Sequence, residues 1–588
     1  MAKNKYTDRI CLIVILVMLA VTLLFCFGES LGLTAVDRRS LSSGPHYEAG
    51  IRFSGTEVEI KGSGVYHTGG VITIGCAGEY TLGGTLTEGQ IIVDAGSADT
   101  VTLILDGAEI TCAEGAALWV KNAGCVTVRT IKGTENALRC GERFSAGAEA
   151  AGVSGALHAE DDLVLEGEGT LRVEGACRHG IVGKDDVTVR SGSILVNAAE
   201  DGIRGRDKLV IEDGILDITA GGDALRSGND LDEGKGNIRI KGGSFTLTSE
   251  GDAVQAAGDI TVSGGTFDIS AGGDALQAER SLTVENGSFT ILSGGGAAAF
   301  PGKGEDAADR VSAKGLKAAS ITLNGGVFAL DCADDALHAS DTLTVNGGTL
   351  VITTGDDALH ADNTLFIADG TITAAECQEG LEANLITVSG GSIDIFSYND
   401  GVNASSGTNW AKLYGAGQGA AAAEELSVYR QTGGAVRICA YDDGVDSNGD
   451  IRIEGGSLLV SAEAAGHSKA LDCGRENGGV CLVSGGTVIA CGYFDTAENF
   501  DYDSSQCSAL FHTEEAMRAG TEFVLTDENG SRLMSFVPEN AYNAVLFSAP
   551  AMKAGQRCTV SVGGHPTVIE LAGLCGVYGE KRSPNFDD

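Results

Sequence analysis

Proline is nearly missing from this chain, with 6 residues in 588. Each proline would delete a ladder donor, so its scarcity suits long uninterrupted β-ladders. Basic charge is also short: 40 Lys and Arg stand against 81 Asp and Glu, and 40 − 81 gives a net charge of −41. That balance argues against nucleic acid and against anionic lipid head groups as partners. Aromatics make up only 5% of the chain, with two tryptophans. The 16 cysteines show no C-x-x-C, zinc motif or disulfide-framework spacing. Several fall in or beside predicted strands, as in Arg437-Ile438-Cys439, where a reduced thiol serves as a small core hydrophobe. A Ser/His nucleophile arrangement and a phosphate loop are missing too. The leucine-rich pattern L-x-x-L-x-L-x-x-N appears in no repeat, which removes that architecture.

What is abundant is glycine, 87 residues, and a repeat of about 22. Asp335-Ala-Leu-His338, Asp357-Ala-Leu-His360, Glu379-Gly-Leu-Glu382 and Asp400-Gly-Val-Asn403 follow at 357 − 335 = 22, 379 − 357 = 22 and 400 − 379 = 21. Asp201 to Asp223 and Asp252 to Asp274 obey the same step of 22. Val254, Ile260, Val262, Phe267 and Ile269 map onto Leu276, Leu282, Val284, Phe289 and Ile291 at that offset. Within each repeat the apolar residues alternate, as in Leu343-x-Val345 and Leu350-x-Ile352, which is strand periodicity. Turn signals such as Gly264-Gly265, Asn286-Gly287 and Gly347-Gly348 separate them. The pattern predicts an all-β chain: a right-handed parallel β-helix, a solenoid of three short strands and three corners per rung. Such a unit buries its apolar side chains only by stacking on its neighbours, so 588 residues can share one elongated core.

The acid that opens each rung forms a column. Rungs stack about 4.8 Å apart, and adjacent like charges destabilise a ladder and raise one another's pKa. A hard cation with a loose oxygen shell would offset this, and Ca2+ is that cation. The candidate ligands are Asp334, Asp335, Asp356, Asp357, Glu379, Asp400, Asp442, Asp443 and Asp446. The competing reading makes each Asp a corner residue bonded to backbone. Three residues further on lies a second column: Arg204, Arg226, Gln255, Gln277, Lys317, His338, His360, Glu382, Asn403 and Asp446. Strand alternation points it outward, as a track for a polymer or as an ordinary polar face. Asp223 to Asp252 is 29 and Asp400 to Asp443 is 43, so insertions interrupt the period, placed at 228–236 and 405–424. A third runs from Gly294 to Ala313. The second insertion carries Trp410 and Tyr414, with Tyr398 and Tyr441 on nearby rungs. Flat rings of this kind suit stacking on a sugar, or packing of the loop back on the ladder. Lys317, His338 and His360 complete the candidate saccharide contacts.

Residues 10–28 are almost wholly apolar and follow Lys3, Lys5 and Arg9. They predict a transmembrane signal anchor with the N-terminus cytoplasmic; a cleaved signal peptide is the alternative, which would leave the protein secreted. The expected organisation is 1–9 cytoplasmic, 10–28 anchor, 29–50 linker, 51–154 N-terminal β-rich part with irregular rungs, 155–515 parallel β-helix, and 516–588 β cap with a polar tail. The rungs are expected outside the cytoplasm, on a monomer.

Taken together, Lys314-Gly-Leu-Lys317, Asp334-Asp-Ala-Leu-His338, Asp356-Asp-Ala-Leu-His360, Asp442-Asp-Gly-Val-Asp446, the repeated Gly-Gly-Ser/Thr corners and Gly485-Gly-Thr-Val-Ile-Ala490 resemble a bacterial family. It is the calcium-containing, carbohydrate-binding parallel β-helix proteins that bind cellulose and polygalacturonate, akin in fold to pectate lyases. The resemblance covers about Gly155 to Gly564 and implies calcium at the doubled acids and a polysaccharide partner. Two functions follow from it: a non-catalytic binder at the cell surface, which is favoured, or a calcium-dependent lyase with Arg204, Arg226 or Lys317 as base. A bare scaffold or adhesin fits the same fold.

Overall fold

The computed structural model describes residues 46–299, 311–405, 427–463, 468–493 and 495–579. Among these the chain is all-β. Helix is confined to one α-turn segment, Ala146–Ala150, and two short 3-10 turns, Ala297–Ala299 and Arg475–Asn477. No helix among the described residues is long and apolar enough to cross a membrane. The apolar run at 10–28, with the flanking 1–9 and most of the linker, lies outside them.

Nearly all strands belong to one 46-stranded, mostly parallel sheet. The strands come in threes, and each pairs in parallel with the strand one repeat ahead. Thr266–Ala271 pairs with Ser288–Ser293 in full register, Phe267 on Phe289 and Ile269 on Ile291. Ile260–Val262 pairs with Ser281–Val284, and Val254–Ala256 with Leu276–Ala278. Between Leu316 and Val388 the first two strands of each repeat run on as one, as in Leu337–Val345 and Leu359–Ile367. Asp341 and Asp362 cross that junction as exposed residues inside a continuous strand.

The period-2 pattern explains the core. Thr266–Ala271, Ser288–Ser293 and Val327–Cys332 alternate exposed and buried without exception. Their inward side chains join one continuous hydrophobic cluster running from Ala49 to Leu546. Corner glycines make the tight turns possible. At Gly348 φ is 104°, where L side chains are disfavoured, and a Cβ there would lie 2.9 Å from the Gly326 carbonyl oxygen of the preceding rung.

Parallel pairing is already present at Tyr47–Gly55 on Gly78–Leu86, and at Gly78–Leu86 on Thr100–Cys112. Two antiparallel ribbons decorate this end: Tyr47–Gly55 with Glu57–Gly62, and Val65–Thr68 with Val71–Ile74. At the other end the direction reverses. Tyr542–Ser548 pairs antiparallel with both Cys481–Gly492 and Ser508–Met517. A separate four-stranded antiparallel sheet, Phe523–Asp527, Arg532–Phe536, Arg557–Val562 and His565–Glu570, packs around Phe511, Phe523, Tyr542 and Phe547 in a second core. None of the fourteen described cysteines is in a disulfide, and ten of them are buried, among them Cys332, Cys377 and Cys491.

Candidate polymer track and acidic column

The corner aspartates have a structural role that runs between rungs. One oxygen of each accepts the backbone N–H of its counterpart on the next rung. Asp201 Oδ1 accepts from Asp223 N at 3.1 Å, Asp223 Oδ1 from Asp252 N at 2.9 Å, and Asp252 Oδ1 from Asp274 N at 2.7 Å. Asp274 Oδ1 then accepts from Lys314 N at 2.8 Å, Asp335 Oδ1 from Asp357 N at 3.1 Å, and Asp400 Oδ1 from Asp443 N at 2.9 Å. A corner amide turned away from the ladder would otherwise be a buried orphan. The series is interrupted at Lys314, after which Asp335 N is met by Asp334 Oδ1 of its own rung, and again at Asp357, whose Oδ1 is buried with no acceptor role among the described residues. Register irregularities in Thr371–Cys377, against both neighbouring strands, displace the next corner there.

The other carboxylate oxygen meets the outward column. That column is a continuous register line: Arg204, Arg226, Gln255, Gln277, Lys317, His338, His360, Glu382, Asn403 and Asp446 pair in succession. It continues one step further to Asp472. At about 4.8 Å per rung the row is on the order of 50 Å long. Arg226 reaches Asp223 at 3.0 Å, Lys317 reaches Asp274 at 3.2 Å, and His338 Nδ1 lies 2.8 Å from Asp335 Oδ2. His338 and His360 stack with ring centroids 4.6 Å apart. His360 Nδ1 lies 3.2 Å from Asp357 and 2.8 Å from Glu382. Burial would lower the His360 pKa, but the two carboxylates outweigh it and raise it.

The candidate metal ligands therefore fall into two environments. Lys314 places its ammonium 2.8 Å from both Asp334 and Asp335, on the doubled acid itself. Burial would raise the Asp335 carboxyl, yet His338 and Lys314 hold it well below the usual range. Asp334, Asp335 and Asp356 offer oxygens within 4.8 Å of one another, but the first two already share that ammonium. Glu379 accepts from the amides of Asn399 at 3.0 Å and Asn403 at 2.8 Å. Asp442 accepts from Ser468 Oγ at 2.8 Å. At the far end Asp443, Asp446 and Asp472 bring three carboxylate oxygens within 4.8 Å, an all-oxygen set. Burial, with neighbouring carboxylates adding to it, pushes Asp443 and Asp446 up to about 7 and Asp400 up to about 8. Lys469 is the nearby cation, 2.7 Å from Asp472 and 3.2 Å from Glu498. This end fits a hard cation by its donor chemistry.

Beside it stand two exposed tyrosines. Tyr398 and Tyr441 are 49% and 44% exposed, with centroids 6.2 Å apart and planes 13° from parallel. Phe396 meets both edge-on. Each tyrosine precedes a column acid, Asp400 or Asp443, by two residues. Trp410 and Tyr414 lie outside the described residues. The insertion at 228–236 folds back on the ladder, with Asn229 donating to Asp207 at 2.6 Å and Lys235 paired to the same carboxylate.

Sequence reasoning missed Asp472, Lys314 and Lys469. Asp446 to Asp472 spans 26 residues rather than 22, but Ala470-Leu471-Asp472 repeats the Ala-Leu-His step of earlier rungs and is the signal that finds it.

The sequence pattern of the family described as carbohydrate-binding domain-containing protein matches residues 68–267, 255–358 and 340–416, more than half of the chain. A carbohydrate-binding domain-containing protein of Acetivibrio thermocellus is 27% identical over 150 residues, 25% of this chain and 48% of the relative. The chain thus spans about half the length of that relative. A solved structure described as a polysaccharide lyase-like protein from C. thermocellum, gadolinium derivative, is 28% identical, with a TM-score of 0.40 over 40% of this chain and 96% of the other.

Proposed function

Since the chain belongs to the carbohydrate-binding domain-containing family, we propose that it holds polysaccharide on the outward column without cleaving it. In this reading the rungs wind as a right-handed parallel β-helix carried outside the cell by the membrane anchor at 10–28. The observation that carries it is the exposed Tyr398–Tyr441 pair beside the all-oxygen cluster of Asp443, Asp446 and Asp472. Flat rings offer a face to a pyranose. Calcium held by Asp400, Asp443, Asp446 and Asp472 would supply a charge able to bridge a uronate carboxylate. His338, His360 and Lys317 extend the track toward its basic end.

Binding is favoured over lyase chemistry by the surroundings of the candidate bases. Arg226 and Lys317 are ion-paired to column aspartates, and Arg204 lies 3.8 Å from Asp201. None lies in the acidic cluster, so base and metal would be separated along the track.

The test is calorimetry of the full chain with oligogalacturonate and with cellohexaose, in calcium and in chelator. Tyr398→Ala with Tyr441→Ala should weaken binding about tenfold or more, since aromatic faces contribute on the order of 1 kcal/mol each, without moving the melting transition. Equal binding by the double variant removes the pair from the site. Release of unsaturated sugar ends from polygalacturonate would make the protein a lyase instead.

A further inference from the structure

A wide groove lies at the opposite end of the ladder from the acidic cluster. It spans about 1360 Å³ between the ribbon that begins at Glu57, the Gly69-Gly70 and Glu88-Gly89 turns, and the segment around Ser145–Ala148. Small-molecule pockets run about 300–1,000 Å³, so this volume suits an oligomer more than a single ring. Trp119 lines it. The strand Leu118–Asn122 presents Trp119 on its outer face, with Leu118 and Val120 buried on the inner. Its indole N–H is buried and has no acceptor among the described residues.

The charge of the walls selects the ligand. Glu57, Glu88 and Glu114 face Arg143 and His67, and Arg143 is already committed to Glu114 through two donors, at 3.1 and 2.5 Å. The remaining carboxylates would repel a uronate. They are good acceptors for sugar hydroxyls, and hydrogen bonds to an ionised acceptor are the stronger kind. Gln90, anchored through its amide to the Ala116 carbonyl at 2.6 Å, supplies a side-chain oxygen at the floor.

We propose that this groove is a second saccharide site, selective for uncharged oligosaccharides, with Trp119 as its stacking surface and Glu57 and Glu88 as hydroxyl acceptors. It takes the ligand class from the family reading but uses none of the column residues.

The chain has two tryptophans, so Trp410→Phe leaves Trp119 as the sole reporter. Titrating that full-length variant with cellohexaose should give a saturable change in indole emission and protection from acrylamide quenching. Trigalacturonate should give neither. Glu57→Gln with Glu88→Gln, both exposed and outside the core, should weaken the cellohexaose response at least fivefold without changing the melting transition. The proposal is overturned if cellohexaose leaves Trp119 emission unchanged at millimolar concentration, if trigalacturonate produces the same response, or if the double glutamine variant binds as the parent does. Tyr398→Ala with Tyr441→Ala should leave the Trp119 response intact. Column binding that is unchanged in that variant therefore sinks only the column reading, and a parent chain whose Trp119 emission ignores cellohexaose sinks only this one.

Discussion

Asp223 shows what one corner residue contributes. Its Oδ1 accepts the Asp252 amide at 2.9 Å and its Oδ2 meets Arg226 at 3.0 Å, in a nearly buried setting. Asp223→Ala strands that N–H and should cost about 1–3 kcal/mol in denaturant unfolding. Asp223→Asn keeps an acceptor oxygen and should cost less. A ranking with Asn worse than Ala would show that the charge, not the amide bond, is what the corner uses. Asp252 gives the pH dependence. Burial, reinforced by Asp274, raises its carboxyl to about 7 from an ordinary value of 3.8. The folded state therefore binds the proton more tightly than the unfolded state, and stability rises as pH falls from about 7 toward 4. Asp252→Asn should lessen the slope of the melting temperature across that window, which Asp400, Asp443 and Asp446 share, while retaining an acceptor for Asp274 N. An unchanged slope would assign the titration elsewhere. These roles were half legible. The period placed every acid in a column, but the sequence does not say that one oxygen caps the next rung, because that bond joins residues 22 or 29 apart.

At the scale of elements, register turns single choices into stacks. Phe245, Phe267, Phe289 and Phe328 occupy one position on four paired strands, with centroids 4.5, 4.6 and 4.6 Å apart and planes within 4°. The spacing follows from the strand separation rather than from ring preference. Phe267 is 1% exposed, and Phe267→Ala should destabilise by about 3–5 kcal/mol. Phe267→Leu should recover much of this by refilling the space. A loss under about 1 kcal/mol for the alanine variant would mean that the neighbours collapse into the gap. The same stack was visible in the sequence for Phe267 and Phe289, which lie 22 apart. Phe245 precedes Phe267 by the same 22, whereas Phe328 follows Phe289 by 39 across the third insertion, and strand pairing rather than chain spacing places it in the stack.

For the whole molecule, the paired ladder makes every rung depend on its neighbours, and charge is distributed unevenly along it. Lysine, arginine and histidine answer the acids through the middle, whereas Asp400, Asp443 and Asp446 meet mostly other carboxylates and burial. Calcium that binds only the folded chain stabilises it by about 2.7 kcal/mol at one hundred times its Kd. Chelation should therefore lower the unfolding temperature, magnesium should restore it poorly, and Asp443→Asn with Asp446→Asn should remove most of the chelator effect. An unfolding temperature identical in calcium and chelator would leave the carboxylates as corner residues. Asp334→Asn should change the calcium response little, because Lys314 already occupies that doubled acid.

The sequence by itself determined the all-β class, the 22-residue period, the inward positions and the two polar columns, because strand alternation and a fixed repeat are local properties that no distant contact needs to complete. Tertiary structure decided the rest. Lys314 lies 20–21 residues before the doubled acid it neutralises, and only the stacking of rungs brings them to 2.8 Å. Asp472 joins the acidic end because an off-period rung still pairs in register with Val445–Ser447. The Trp119 groove has no periodic signature, since it is made by turns and a ribbon that fold across several rungs. Its walls come from parts of the chain that only the wound ladder places side by side.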